Sequence, residues 1–391
     1  MKEQKINNYE KKQDSYAYFL HNMVGIGNKS IASLLSGGHT PIEVYHFSEK
    51  QVKQILGSQR LANSFCKAKD EWNVEKEYQS LLAKNITFYH KEHPQFPVRL
   101  KEIPNPPYGI YVKGTLPEEH EPAIAIIGAR LCSDYGRYMA RQFGMFLAAA
   151  GVPVISGLAS GIDGISQKAA IEAGGKTYGV LGCGVDICYP QENRAIYNEM
   201  DKRGGIISEF IPGTLPKPGH FPMRNRIISG LADLILVIEA KEKSGTLITV
   251  DMALEQGREV FALPGRVTDA VSSGCNNLIR QGAGIALSPQ QLLQELQSYG
   301  QAYRIHSNGG NPENEQIGKE RAGNEPILPF MTKEELLIYE HLDITKKSLD
   351  EILKELPESY SVPIVMDTLV ALVMKGIVKS HGTHYFAKII K

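Results

Sequence analysis

The segment HFPMRNRIISG, residues 220–230, sets Arg224 and Arg226 on either side of Asn225 and runs directly into Ile227 and Ile228. The flanks have core character, yet an arginine is seldom buried unless an anion pairs with it. The chemistry these side chains offer is anion binding. Pro222 suits the first turn of a helix. The cations therefore fall where unpaired backbone N–H groups and the positive end of a helix dipole also gather. Arg224 is expected to face a ligand. Arg226 has a structural alternative, an internal pair with Glu209 or Glu239.

Other turns carry related chemistry. GARLCSDYGR holds Gly128 and Arg130, but Arg130 stands where a dinucleotide fingerprint needs its second glycine. Arg130 can grip a phosphate through its planar fork, or pair at the surface with Asp134. SGLASGID offers Ser156, Gly157, Ser160 and Gly161 as a tight, donor-rich loop opening a helix, with Asp163 as a brace or cap. GCGVDICYPQENRAIY presents Tyr189 as a surface on which a base can stack, or as turn packing. In the same loop Asn193 and Arg194 can touch phosphate or brace the turn. Ser244, Gly245 and Thr246 place another small turn before a helix. Glu239 and Asp251 are the carboxylates here suited to acid–base work, and neither has a second carboxylate at a matching spacing. There is no G-x-S-x-G elbow. Phosphate donors without catalytic parts point to binding, not turnover.

Such a rim needs a sheet to carry it. The apolar runs AIAIIG, VPVISG, KTYGVLG, GIISEF, LILVIEA, EVFALPG and GIALS alternate with helical patterns between residues 123 and 299. Continuous apolar strands separated by helices imply a parallel sheet covered on both faces. The fold class is α/β: an extended Rossmann-like, doubly wound, mostly parallel sheet, whose ligands belong at the carboxyl ends of the strands. Residues 1–84 read as a helical domain, 85–299 as the Rossmann-like domain, 300–331 as a flexible linker poor in large apolar residues, and 332–391 as three helices and a two-stranded wing turning at Gly382, a winged-helix domain. Its third helix is nearly all apolar, which favours protein contact over reading a DNA groove.

The 391 residues carry 43 basic and 43 acidic side chains, so any nucleic-acid contact must come from a local patch and not from overall charge. Five cysteines without a C-x-x-C pair fit structural thiols in a reducing compartment. The polar start MKEQKINNYEKK and the lack of an 18-residue apolar run predict a soluble cytoplasmic protein, with no cofactor or metal implied.

IIGAR, SGLASGID, LGCGVDICYPQEN, FPMRNRIISG, KSGTLITVDMALEQGREVFALPG and GCNNLIRQGA, in this order, together resemble the DprA/Smf family, over roughly residues 85–290. The resemblance implies an extended Rossmann fold that binds single-stranded DNA, forms a homodimer and helps load RecA recombinase in natural transformation. By motif position it makes Arg130, Arg224 and Arg226 DNA-contacting, with the Ser156–Gly161 and Tyr189–Asn193 loops beside them. Many members carry Lys after the Tyr-Pro of the third loop, where this chain has Gln191. A lost cation there weakens affinity and its salt dependence, unless Arg194 substitutes. MVGIGNKSIASLL resembles a helix-hairpin-helix turn or a SAM-like helical domain.

The rival reading is an enzyme acting on nucleotides, such as a nucleoside-monophosphate phosphoribohydrolase. Its P-G-G-x-G-T-x-x-E signature is replaced by KEKSGTLITVD. A third reading, a sequence-specific duplex binder, conflicts with the apolar third helix.

Overall fold

The structure is a computed structural model that describes residues 2–307, 332–343, 345–357, 360–374, 377–380 and 385–388. Strands β1 (Thr87–His90), β2 (Gly109–Gly114), β3 (Ile124–Ile127), β4 (Val154–Ser156), β5 (Thr177–Val180), β6 (Gly204–Ser208), β7 (Leu234–Val237), β8 (Glu259–Ala262) and β9 (Gly284–Ile285) form one sheet. Their order is β1-β2-β6-β5-β4-β3-β7-β8-β9. From β6 across to β9 every pair is parallel, while β2 runs antiparallel to β6 and β1 to β2. All seven expected strands are present, and the sheet is the mostly parallel, Rossmann-like one expected.

The burial pattern explains the parallel part. Strands β3, β4, β5, β6 and β7 are buried along their whole length, with separate apolar clusters covering the two faces. A strand covered on both sides has no polar face, hence the unbroken apolar runs.

The two antiparallel strands lie in a stretch that reads in sequence as a proline-rich connection. Strand β1 alternates half-buried and buried residues, so only one of its faces is fully covered. That face meets the amino-terminal helices. Phe19, Phe65, Tyr78, Phe88, Tyr111, Tyr197 and Ile206 belong to one continuous cluster. The helical region and the sheet thus share a core across the expected boundary at residue 84. Polar stitches reinforce it. Asn22 Nδ2 donates to Tyr111 Oη at 2.9 Å, and His21 Nδ1 lies 3.0 Å from the same hydroxyl. Burial pulls the His21 pKa down to about 4, so the imidazole is neutral in this contact.

The helix Pro289–Ser307 continues eight residues into the segment read as linker, and 308–331 lie outside the described residues. Beyond them, helices Lys333–Glu340, Leu349–Glu355 and Val362–Met374 pack with β10 (Lys347–Ser348), β11 (Val378–Ser380) and β12 (Tyr385–Lys388) around their own core. These strands pair antiparallel in the order β10-β12-β11, so a third strand joins the two foreseen. The turn expected at Gly382 lies outside the described residues. Tyr339 lies beside Tyr138 on the helix Asp134–Ala149. Among the described residues, no helix is long and apolar enough to cross a membrane.

The helices Asp134–Ala149 and Ile162–Glu172 touch at Gly144, where an added Cβ would fall 2.5 Å from the Ser166 carbonyl oxygen. Helix propensity favours Ala over Gly by about 1 kcal/mol. Overpacking against a backbone atom costs roughly 1–3 kcal/mol. Gly144→Ala is therefore expected to lower the urea midpoint without changing the slope; a raised midpoint would show that propensity wins.

Candidate nucleic-acid interface

A small cleft opens at the carboxyl ends of β3, β4 and β5. It is lined by Arg130, Gly157, Ala159, Ser160, Tyr189, Pro190, Phe221 and Arg224. Each comes from a loop that follows a strand, or from the start of the helix His220–Leu231.

Arg224 forms the floor and is only 5% exposed. Its Nη1 donates to Gly157 O at 2.6 Å and also to Val180 O. Its buried Nε has no hydrogen-bond partner among the described residues. Burial lowers its pKa to about 10, the nearby Asp163 carboxylate opposes that shift, and Arg130 adds to it. Asp163 is itself raised by burial, in spite of Arg224 and a hydrogen bond from Gly157 N at 3.0 Å. For both groups desolvation outweighs their mutual attraction. The cleft floor is thus a largely desolvated cation beside a buried carboxylate.

Arg130 is exposed at the rim. Its guanidinium lies 5.3 Å from the Phe221 ring centroid, and that of Arg224 lies 6.0 Å from the same ring. Tyr189, 42% exposed, stands 5.8 Å from Phe221. Asp134, the expected surface partner of Arg130, pairs instead with Arg137. Phe221 rests over Gly182, while its neighbour His220 stacks on Phe210 at 4.2 Å and places Nδ1 3.1 Å from Gly182 O.

Two glycines make the close approach possible. A Cβ on Gly157 would lie 2.6 Å from Arg224 Cζ. Gly161 has φ +77°, and its Cβ would lie 2.7 Å from the Arg130 carbonyl carbon. The loops after β3 and β4 are pressed backbone to backbone.

Of the residues singled out in the sequence, the cleft brings together Arg130, Gly157, Ser160, Tyr189 and Arg224. Others brace it. Ser156 is fully buried, with Oγ donating to Ile126 O at 2.6 Å. Asn193 Nδ2 donates to Leu158 O and Ala159 O, holding the loop after β4. Gly128 packs under Ile162. Gln191 accepts from Arg194 Nη2 at 2.6 Å and donates to Cys188 O, so Arg194 is tied back beside the loop, over the Tyr197 ring. Asn225 is half-buried on the helix, outside the cleft lining. Ser244, Gly245 and Thr246 open the helix Gly245–Glu255 after β7, also outside the lining.

Arg226 requires a correction. The expectation that it faces a strand of phosphates gives way to the structural alternative: it is 6% exposed, and its Nη2 donates to both oxygens of Glu209 at 2.7 Å. Two residues along a helix point in nearly opposite directions, so Arg224 and Arg226 cannot share one face. Glu239, considered for acid–base work, is 1% exposed and accepts from Ser133 N at 2.9 Å and from Ser133 Oγ, bracing the start of the helix Asp134–Ala149. Phe221 was legible only as an aromatic beside Pro222, and Ala159 and Pro190 had no chemical signal.

The profile of the family described as DNA recombination-mediator protein A matches residues 86–297. Protein Smf of Synechocystis is 34% identical over 84% of this chain and 81% of its own. The DNA processing protein DprA of Bacillus subtilis is 44% identical over 52% of this chain and 68% of its own. The X-ray structure of DNA processing protein A from Streptococcus pneumoniae, 33% identical, superposes with a TM-score of 0.64 over 72% of this chain and 97% of that one. The cleft residues lie within the matched span, and the chain belongs to the DNA recombination-mediator protein A family, the DprA/Smf proteins of DNA processing.

Proposed function

We propose that the chain binds single-stranded DNA in this cleft without chemically altering it, and in natural transformation protects incoming strands and hands them to RecA recombinase. The observation that carries the reading is the pair of guanidiniums, Arg130 and Arg224, on one aromatic ring at the mouth of a cleft. Cations that track a backbone, with aromatic faces on which bases stack, are the parts of sequence-tolerant single-strand binding. The unpartnered Nε of Arg224 and its desolvated charge favour an arriving anion. Glu239 is committed to Ser133, which weighs against the nucleotide-hydrolysing alternative. Homodimerisation belongs to the same reading. Strand β9 ends the sheet beside Ile285 and Leu287, which are 42% and 70% exposed. The carboxy-terminal module is read as a winged helix serving protein contact, since Val362, Ile364 and Val370 of its third helix are exposed.

Binding to fluorescent oligo-dT across a salt series tests the proposal. Replacing Arg130 or Arg224 by Ala should weaken binding and flatten the salt slope by roughly 0.7 for each phosphate no longer neutralised. Phe221→Ala should cost about 1–3 kcal/mol with the slope intact, as removal of a stacking surface does. Unchanged affinity in both arginine variants would refute the reading.

Arg226→Ala behaves differently. It strands Glu209 in a buried site, and breaking such a pair costs about 3–5 kcal/mol of stability. Its urea midpoint should fall well below that of Arg224→Ala, so a double replacement confounds unfolding with weakened DNA binding.

A further inference from the structure

Glu209 does more than neutralise Arg226. Its Oε1 also accepts from Asn28 Nδ2 at 2.7 Å, and Asn28 Oδ1 accepts from Tyr108 N at 3.3 Å. Asn28 opens the helix Asn28–Leu35 directly after the Gly25-Ile26-Gly27 turn. The turn that resembles a phosphate-binding hairpin is thus followed by a side chain tied inward to the sheet. The ionic partners are each 8% exposed at the side chain. Among the described residues, Arg226 Nη1 has no hydrogen-bond partner. The guanidinium therefore grips the carboxylate through one nitrogen, and the Asn28 amide adds a second donor to Oε1 that fixes where the carboxylate sits.

We propose that Asn28 is a positioning residue for the strand-binding cleft. Through Glu209 and Arg226, the amino-terminal helical region sets the roll of the helix His220–Leu231. Arg224 leaves that helix on the opposite side from Arg226, so a roll that loosens one swings the other. The stack of His220 on Phe210 secures the first residue of the helix, and Arg224 is tied to Gly157 O and Val180 O. Arg226 is held half a helix further on. The inference rests on the reading of the cleft as a DNA site.

The test is oligo-dT binding by the full chain, followed by fluorescence anisotropy between low and moderate KCl. Asn28→Ala is expected to lower affinity about five- to twentyfold, the range of ordinary site-to-site coupling. Its salt slope should stay that of wild type, because every phosphate-facing cation is still in place. Glu209→Gln should weaken binding similarly, and Asn28→Ala added to it should cost nothing further, since both act through one carboxylate. Wild-type affinity in a folded Asn28→Ala chain overturns the coupling, as do additive losses in the double variant. A slope lower by roughly 0.7 also overturns it, because Asn28 then touches a phosphate itself. Should Asn28→Ala not fold, Asn28→Thr removes the amide while filling similar space and answers the same comparison. Binding lost in Arg224→Ala but kept in Asn28→Ala sinks the coupling alone. A wild-type chain without affinity for oligo-dT sinks the cleft reading and the coupling with it.

Discussion

Holding a guanidinium below a protein surface is costly, because water no longer solvates its charge and several kcal/mol must be recovered from other contacts. Arg224 is held there by the carbonyls of Gly157 and Val180 and by the field of Asp163. Those contacts leave the charge largely desolvated and the Nε without a hydrogen-bond partner among the described residues. An anion arriving at the cleft meets a cation already oriented, whose entropy of ordering was lost on folding. The geometry of the neighbouring loops follows from that requirement. Gly157 has no side chain because the guanidinium lies against it, and Asn193 holds the loop by its carbonyls so that Gly157 stays in place.

Many of the polar residues in the recognisable motifs are therefore braces. Ser156 ties β4 to β3, Glu239 holds Ser133, and Glu209 pairs with Arg226. These three groups find their partners in segments distant in sequence, since a buried donor without one costs about 1–3 kcal/mol. A motif that looks like a row of ligand-binding residues is in large part the apparatus that aligns a few of them. The same economy bears on the nucleotide-hydrolysing alternative, because Glu239 is occupied as a structural acceptor.

The amino-terminal helices are bound into this arrangement more closely than a separate domain would be. They share an aromatic and aliphatic cluster with β1, β2 and the adjoining strand β6. The neutral His21, Asn22 and Asn28 add polar ties to Tyr111, Tyr108 and Glu209. The carboxy-terminal module differs. It has a core of its own and reaches the sheet domain through contacts such as Tyr138 with Tyr339.

Much of the sheet domain was legible from local pattern. Unbroken apolar runs between helical stretches imply strands buried on both faces, and the strand ends then mark the rim on which Arg130, Gly157, Ser160, Tyr189 and Arg224 meet. The antiparallel strands β1 and β2 were not legible, because their burial depends on helices elsewhere in the chain. Nor did Arg224 and Arg226 differ as residue types. Both are arginines beside the same asparagine and both are buried; only Glu209, brought to one side of the helix by the tertiary fold, decides which of them is neutralised by an ion pair. Phe221 gained its place in the cleft in the same way. Sequence periodicity determines which elements form and where their ends fall; which side chain meets which partner is settled by contacts between distant segments, and these exist only once the sheet has assembled.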